Sequence, residues 1–467
     1  MNDKIERFLV LELNKEIAAL ENRYKYLDLK VNRLNSYNIG MLRELYWTLM
    51  RALGFAHLHD GRERPSARRE WKKGPATGSP AATALSGNIP ATASNPRLLI
   101  DTTPTHRWGG ETGIQRVVRE VARAAVEGGT GLPVFISNAR LYSYFRHPAL
   151  PEEIEIADGD KFMMPDASWN FCDEYARIME QVSRKNGSNI IVLHDLIPVR
   201  YHGAVSPDAS SAFVIWLDKI VLASDAVVAV SRSAAEDFLA YAAANKKTLN
   251  PHMRVGWWSL GADFQTDADE PVSSLTTAIC AGATPFFLSV GTLEPRKGYP
   301  IALSAFDKLW NSGVDIRYVI VGRRGWNSRA LEARIVQNPE FGRRLFWLDN
   351  TGDADLRYLY KHARSLVIAS FAEGFGLPIV EAAYHGLPAI ASDIPIFHEV
   401  GNNSTSYFDV LDSDSLAERV REALASPKIA TPPPVRTWKD ATESLLEMVR
   451  NDLYQRQVDG AGQHKGP

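Results

Sequence analysis

Apolar side chains recur at alternating steps of three and four from Val10 through Leu13, Ile17, Leu20, Tyr24, Leu27, Val31 and Leu34, and the spacing continues through Asn38 to Met41. That is a heptad seam. With Val10 at a, the a sites read Val, Ile, Tyr, Val, Asn, and the d sites read Leu four times and then Met. This choice favours a parallel dimer, and an Asn at a single a position fixes register at some cost in stability. Residues 1–58 are therefore expected as a helical, coiled-coil extension that self-associates through residues 10–41. An amphipathic helix folded back on its own chain is the alternative. Over residues 59–96 the periodicity stops and Arg, Lys, Pro, Ala, Ser and Gly take over, the composition of a flexible linker.

From Arg97 the pattern changes to short β-branched runs separated by helical stretches. RLLIDTT, LPVFISNA, NIIVLHDLIP and DAVVAVS read as buried parallel strands, with GIQRVVREVARAAVEGG and SSAFVIWLDKIVLAS as helices between them. After TDADEPVSSLTTAICAGAT, which reads as a hinge, the pattern restarts with PFFLSVGT, DIRYVIVGRRG, RLFWLDN, SLVIAS and PAIASDI. The expected fold class is α/β: two facing Rossmann-like domains, residues 97–275 and 276–436, with a central cleft between the carboxyl ends of their strands. TWKDATESLLEMVRNDLYQ gives an amphipathic helix over residues 437–457, and the Gly-rich tail 458–467 is expected to lack structure.

Composition narrows the function classes. The chain has 467 residues, with 53 Lys and Arg against 55 Asp and Glu, so its overall field gives no case for a nucleic-acid partner. Cys172 and Cys280 belong to no CxxC or His/Cys cluster, which argues against a disulfide framework or zinc site and for a reducing compartment. No secretion signal and no run of about 18 uninterrupted apolar residues is present, so a cytoplasmic location is expected. The linker carries Arg62, Arg64, Arg68, Arg69, Lys72 and Lys73 around Trp71, downstream of LRELYWTLMRALGF. Two readings stand for it: peripheral contact with the anionic inner-membrane surface, or a solvated charge run.

Four stretches carry chemistry. In SFAEGFGLPIVEAAYHGLPAIASDIPIFHEV, Glu373 follows a strand, Pro378 sits in the first turn of a helix and Glu381 lies on it. The amides of Phe375, Gly376 and Leu377 then stand at a helix N-terminus, which favours an anion or a polar sugar edge. In SVGTLEPRKGYPIALSAF a strand ends in Gly291 and Thr292 and is followed by Arg296 and Lys297, cations suited to a leaving group that gains negative charge. In IDTTPTHRWGGETGIQRVVREV, Gly109, Gly110 and Gly113 lead from a strand into a helix, and Gly113 lets the backbone approach an anion. Lastly, His194 and Asp195 end another strand, either as a ligand pair or as a satisfied structural histidine with its neighbour. Asp353 and Asp355 fall at a helix start, where capping is the simpler account, and no essential metal or other cofactor is expected.

The stretch EGFGLPIVE, followed by a small-residue helix and G-x-P, resembles the retaining family 4 glycosyltransferases of the GT-B fold, and the resemblance extends over residues 97 to about 456. It implies that Glu373 hydrogen-bonds a donor sugar, Glu381 binds ribose hydroxyls, Arg296 and Lys297 hold the diphosphate, and His194 lies at the sugar. Alanine at Glu373 is then expected to abolish transfer and leave the fold intact, its side chain lying in the cleft. TGIQRVVR is similar to enzymes of bacterial surface-polysaccharide synthesis, of O-antigen or capsule type. The implied reaction moves a hexose, with retention, from a nucleotide diphosphate sugar to a saccharide or lipid-linked acceptor. GDP-mannose is the favoured donor, with dTDP-rhamnose or a UDP-sugar as alternatives. Which of Arg107, Trp108 and Glu111 meets the acceptor stays open. An epimerase and a catalytically silent oligomeric scaffold are the rival readings.

Overall fold

The computed structural model describes residues 96–109, 113–144, 151–201, 203–263, 271–401, 403, 405–425, 435–458 and 464–465. The expected coiled coil, its oligomerisation and the basic linker lie outside the described residues. In chain order the first strands are β1 (Leu98–Asp101), β2 (Leu132–Ser137), β3 (Arg140–Ser143), β4 (Glu153–Ile154), β5 (Lys161–Met164), β6 (Ser188–Leu193), β7 (Ala226–Ala229) and β8 (Arg254–Trp257). Then follow β9 (Phe286–Val290), β10 (Arg317–Val321), β11 (Leu345–Leu348), β12 (Ser365–Ile368), β13 (Ala389–Ser392), β14 (Thr405–Phe408), β15 (Arg456–Val458) and β16 (His464–Lys465).

Two sheets result. The first has the order β16-β15-β8-β7-β6-β5-β1-β2-β3-β4, and the run from β8 to β2 is parallel throughout. Antiparallel strands finish both of its edges. The second, β11-β10-β9-β12-β13-β14, is parallel throughout. Strands such as β1, β5 and β7 are buried at every position, because helices cover both faces and leave no side of the pleat to water. Ile191, Phe162 and Val227 lie in the core on one face of the first sheet, while Ile190, Met163 and Val228 lie in the core on the other. The second sheet is sandwiched in the same way, with Tyr318 and Phe306 on one face and Val319 and Tyr360 on the other.

Three expectations are corrected. The stretch read as a hinge contains the helix Ser274–Ala281, whose Ser273 side chain caps it and whose Ser273 amide donates to Asp355 Oδ1 at 2.8 Å. Asp353 and Asp355 do not cap their own helix, Asp353–His362: its N-cap is Gly352, and Asp355 instead ties that helix to its neighbour. The tail begins inside β15, where Val458 is buried, and His464–Lys465 pairs with it as β16.

The chain passes between the two sheets at two adjacent places. Ala262 N donates to Arg436 O at 3.1 Å, and Trp438 N donates to Asp263 Oδ1 at 2.5 Å. The helix Trp438–Asn451 then packs on the first sheet's side of the molecule, with Trp438, Leu445 and Val449 in one core with Val117 and Val121. Its C-terminal carbonyls, Val449 O and Arg450 O, accept from Lys161 Nζ at 2.7 and 3.0 Å, a cation placed where a helix end is negative.

Candidate active site

The site is built from loops at the carboxyl ends of the strands. Beyond β9, the chain turns at Gly291, whose φ of 150° falls outside the range of ordinary residues, and Tyr299 Oη donates to Gly291 O at 2.6 Å. The short turn Pro295–Lys297 ends at Gly298, which is left-handed (φ 64°). A Cβ at Gly298 would collide with Ala369 O, so the turn lies flat against the end of β12, where Phe371 N donates to Arg296 O at 3.0 Å. That approach sets Arg296 and Lys297 beside Glu373. Arg296 Nη1 lies 2.9 Å from one Glu373 oxygen and Lys297 Nζ 2.5 Å from the other, which also accepts from Ser370 Oγ at 2.8 Å. Glu294 pairs with the same guanidinium at 3.0 Å. Burial pushes the Glu373 carboxyl up, but the Lys297 and Arg296 charges outweigh it and hold it at about 2.

Glu373 is therefore the counter-ion of two cations, with a side chain 9% exposed. Glycines continue the segment. Gly376 is left-handed (φ 95°) and caps the helix Leu377–Tyr384, with Pro378 in its first turn. Phe375 is buried among first-domain residues, and Leu377 Cδ1 would lie 3.5 Å from a Cβ at Gly113. A Cβ at Gly374 would overlap His194 O, so the two domains meet main chain to main chain there. Around that point Ser231 Oγ donates to Gly374 O at 2.7 Å, and Glu399 accepts from Arg232 N and Ser233 N at 2.7 and 2.8 Å. The Glu399 carboxylate thus lies on the N-terminus of the helix Arg232–Ala244 in the first domain.

His194 and Asp195 follow β6. His194 Nε2 is 2.8 Å from Pro165 O, and burial holds the ring below its usual pKa, so it is neutral. Asp195 Oδ1 accepts from Ile197 N at 2.9 Å and supports the loop backbone. Glu381 lies deeper, 4% exposed, taking Arg116 Nη1 at 2.5 Å on one oxygen and Tyr360 Oη at 2.8 Å on the other. Thr292 stands beyond the turn at Gly291, with its Cγ2 against Gly325. Glu373, Arg296, Lys297 and Gly291 thus form one cluster, which the approach of Gly374 to His194 O joins to the loop after β6. Gly113 and Leu377 meet beside Glu381 and Arg116.

Arg116, Tyr360 and Ser370 were not singled out from the sequence. Arg116 sits in TGIQRVVR three residues after Gly113, where it could have been read as a first-turn residue facing the cleft. Tyr360 carries no local signal, its partner Glu381 lying 21 positions on, whereas Ser370 opens the quoted stretch three residues before its partner Glu373 and could have been found there. Among the described residues, no group of three His, Cys, Asp or Glu side chains is placed to hold a metal ion. Nor is any described helix long and apolar enough to cross a membrane.

Residues 281–437, which hold this charge cluster and the EGFGLPIVE segment, match the family described as glycosyl transferases group 1. The chain carries a group 1 glycosyltransferase domain. Over 374 residues, 75% of its length, it is 32% identical to the serotype-specific mannosyltransferase WbdA of Escherichia coli and covers 44% of that protein. It is 36% identical over 144 residues to the O-antigen chain mannosyltransferase B of Escherichia coli, covering 30% of this chain and 36% of the relative. The chain spans less than half the length of these relatives. Among solved structures, sucrose-phosphate synthase from Thermosynechococcus elongatus aligns with a TM-score of 0.51 at 16% identity, covering 76% of this chain and 95% of that one. HepE of Anabaena, in complex with UDP and glucose, aligns with a TM-score of 0.52 at 16% identity over 77% and 98%. The group 1 domain and the sheet before it share the GT-B fold with these structures: two Rossmann-like domains with their strand ends facing.

Proposed function

We propose that the chain is a retaining hexosyltransferase that moves mannose from GDP-mannose to a saccharide or lipid-linked saccharide in surface-polysaccharide synthesis. The observation that carries this is the Arg296, Lys297 and Glu373 cluster, set at the carboxyl edge of the group 1 domain against the loop that bears His194. The mannosyltransferase relatives support the choice of sugar.

In the reaction, the acceptor oxygen bonds to the anomeric carbon as the bond from that carbon to the β-phosphate oxygen breaks, and the departing phosphate oxygen takes the acceptor proton. Negative charge accumulates on the diphosphate. A guanidinium and an ammonium already fixed at that edge stabilise it without reorganisation. The two groups carry eight N–H donors, more than their carboxylate partners use. Glu373 takes the sugar hydroxyls, Glu381 the ribose hydroxyls, and neutral His194 lies at the sugar. Of the described acceptor candidates, Arg107 is committed to Glu174 at 2.6 Å and Ile136 O at 2.9 Å. Trp108 is 59% exposed, braced on Phe171 at 4.8 Å, and offers its ring face to an acceptor pyranose.

The test incubates purified full chain with GDP-mannose, dTDP-rhamnose and UDP-glucose in EDTA, with and without mannose oligosaccharides, and scores nucleotide diphosphate release. Acceptor-dependent GDP release with an α-linked product by NMR is expected. Release from donor alone as an epimerised sugar, or nucleotide binding without turnover, overturns the proposal in favour of an epimerase or a scaffold.

A further inference from the structure

Arg116 touches both the candidate nucleotide site and the two places where the chain passes between the sheets. It stands in the first turn of the helix Gly113–Glu127, in the first domain, with a side chain 18% exposed. Its Nη1 reaches Glu381 in the second domain at 2.5 Å, and its Nη2 donates to Asp263 O at 3.2 Å. Asp263 is the last described residue before the chain enters the second domain. Its carboxylate takes the amide of Trp438, where the chain returns, and the Arg116 guanidinium lies 5.9 Å from the Trp438 ring centroid. One planar group therefore contacts both chain crossings and the carboxylate that the proposed function gives to ribose. Points near a rotation axis move least when domains swing, so this contact can survive an opening that separates Ser231 from Gly374.

We infer that Arg116 is a positioning residue: it fastens the Glu381 carboxylate to the two chain crossings and keeps it an acceptor for the vicinal hydroxyls of a nucleotide ribose. The inference rests on the proposed nucleotide-sugar reading. Its chemistry follows from what faces Glu381: Arg116 from the first domain, and Tyr360 and Asp353 from the helix Asp353–His362, while Glu120 faces Arg116. Burial pushes the Glu381 carboxyl up, Asp353 adds to that, and Arg116 and the Tyr360 hydroxyl oppose it. Without the guanidinium the carboxyl takes up a proton at higher pH and gives up an acceptor site that a diol needs. Lysine supplies charge but not a planar fork that spans two partners.

The experiment measures binding of GDP and of 2′,3′-dideoxy-GDP by calorimetry to the full chain and to its R116M and R116K variants, from pH 6 to pH 9. R116M is expected to bind GDP 10- to 100-fold more weakly than wild type at pH 6, with part of the loss recovered at pH 9, and to bind the dideoxy nucleotide about as wild type does. R116K should keep the flat pH profile, lose GDP affinity by less than R116M does, and bind the dideoxy nucleotide about as wild type does. Equal losses for both nucleotides, or unchanged GDP affinity in R116M, overturn the inference even if wild type transfers mannose. If wild type binds neither GDP nor UDP, the nucleotide-sugar reading itself fails and the inference with it. Should R116M not fold, R116K decides: it must lose more affinity for GDP than for the dideoxy nucleotide.

Discussion

Replacing Glu373 with alanine should cost stability as well as activity, contrary to what the sequence alone suggests. The side chain lies between two cations that are themselves 20% and 12% exposed, so its removal leaves their charge uncompensated inside the protein. Glu294 still pairs with Arg296, so the orphaned charge is chiefly that of Lys297. Breaking a buried pair from one side costs about 3–5 kcal/mol. The remaining Glu294 contact, and the option for Lys297 to shed its proton, place the cost at the lower end, about 3 kcal/mol. For a domain of this size each kcal/mol moves the melting temperature by about 2–4 °C, so a fall of about 6–12 °C is expected by scanning fluorimetry. GDP should then raise the melting temperature of E373A by more than it raises that of wild type, because its diphosphate supplies the missing negative charge. A melting temperature within 1 °C of wild type, or a smaller GDP shift, would refute the ion-pair reasoning.

Two further outcomes concern the first domain. Lys161→Met removes the cation from the end of the helix Trp438–Asn451, where it meets Val449 O, Arg450 O and Asp452; a loss of about 3 kcal/mol is expected in denaturant titrations, with faster proteolysis near residue 450. Asp101, wholly buried, is pushed by burial up to about 7 despite hydrogen bonds from Thr103 and Tyr175. The folded chain keeps a proton there that the unfolded chain releases near pH 4, so this group's stabilisation is complete below about pH 4 and is lost as the pH rises through 7. Asp101→Asn should flatten the fall in melting temperature between pH 5 and pH 8; an unchanged slope would place the titration elsewhere.

The long strands were legible because a parallel sheet covered on both faces needs uninterrupted apolar runs, as in NIIVLHDLIP and DIRYVIVG. β5, KFMM, was not, because four residues between Asp160 and Pro165 give no pattern until their neighbours are known. β15 was lost for a related reason: its polar residues hydrogen-bond to β8 through the main chain, which no side-chain period reports. At the candidate site, motif spacing brought out Glu373, Arg296, Lys297 and Glu381. The partners that set the charge state of Glu381, Arg116 and Tyr360, are joined to it only by tertiary folding, 265 and 21 positions away.

The main-chain meeting of Gly374 with His194 O bears on how the proposed transferase would cycle. A seam made of backbone has no side-chain rotamers to rearrange, so shutting it freezes little conformational entropy and reopening it recovers little. In the proposed transferase, polar ties around that seam, Ser231 to Gly374 and Glu399 to the helix Arg232–Ala244, add to the burial of Phe375 among first-domain residues in resisting an opening that lets product go. Substituting that serine or glutamate would loosen those ties while the close approach itself stays fixed by the absence of a single carbon at position 374.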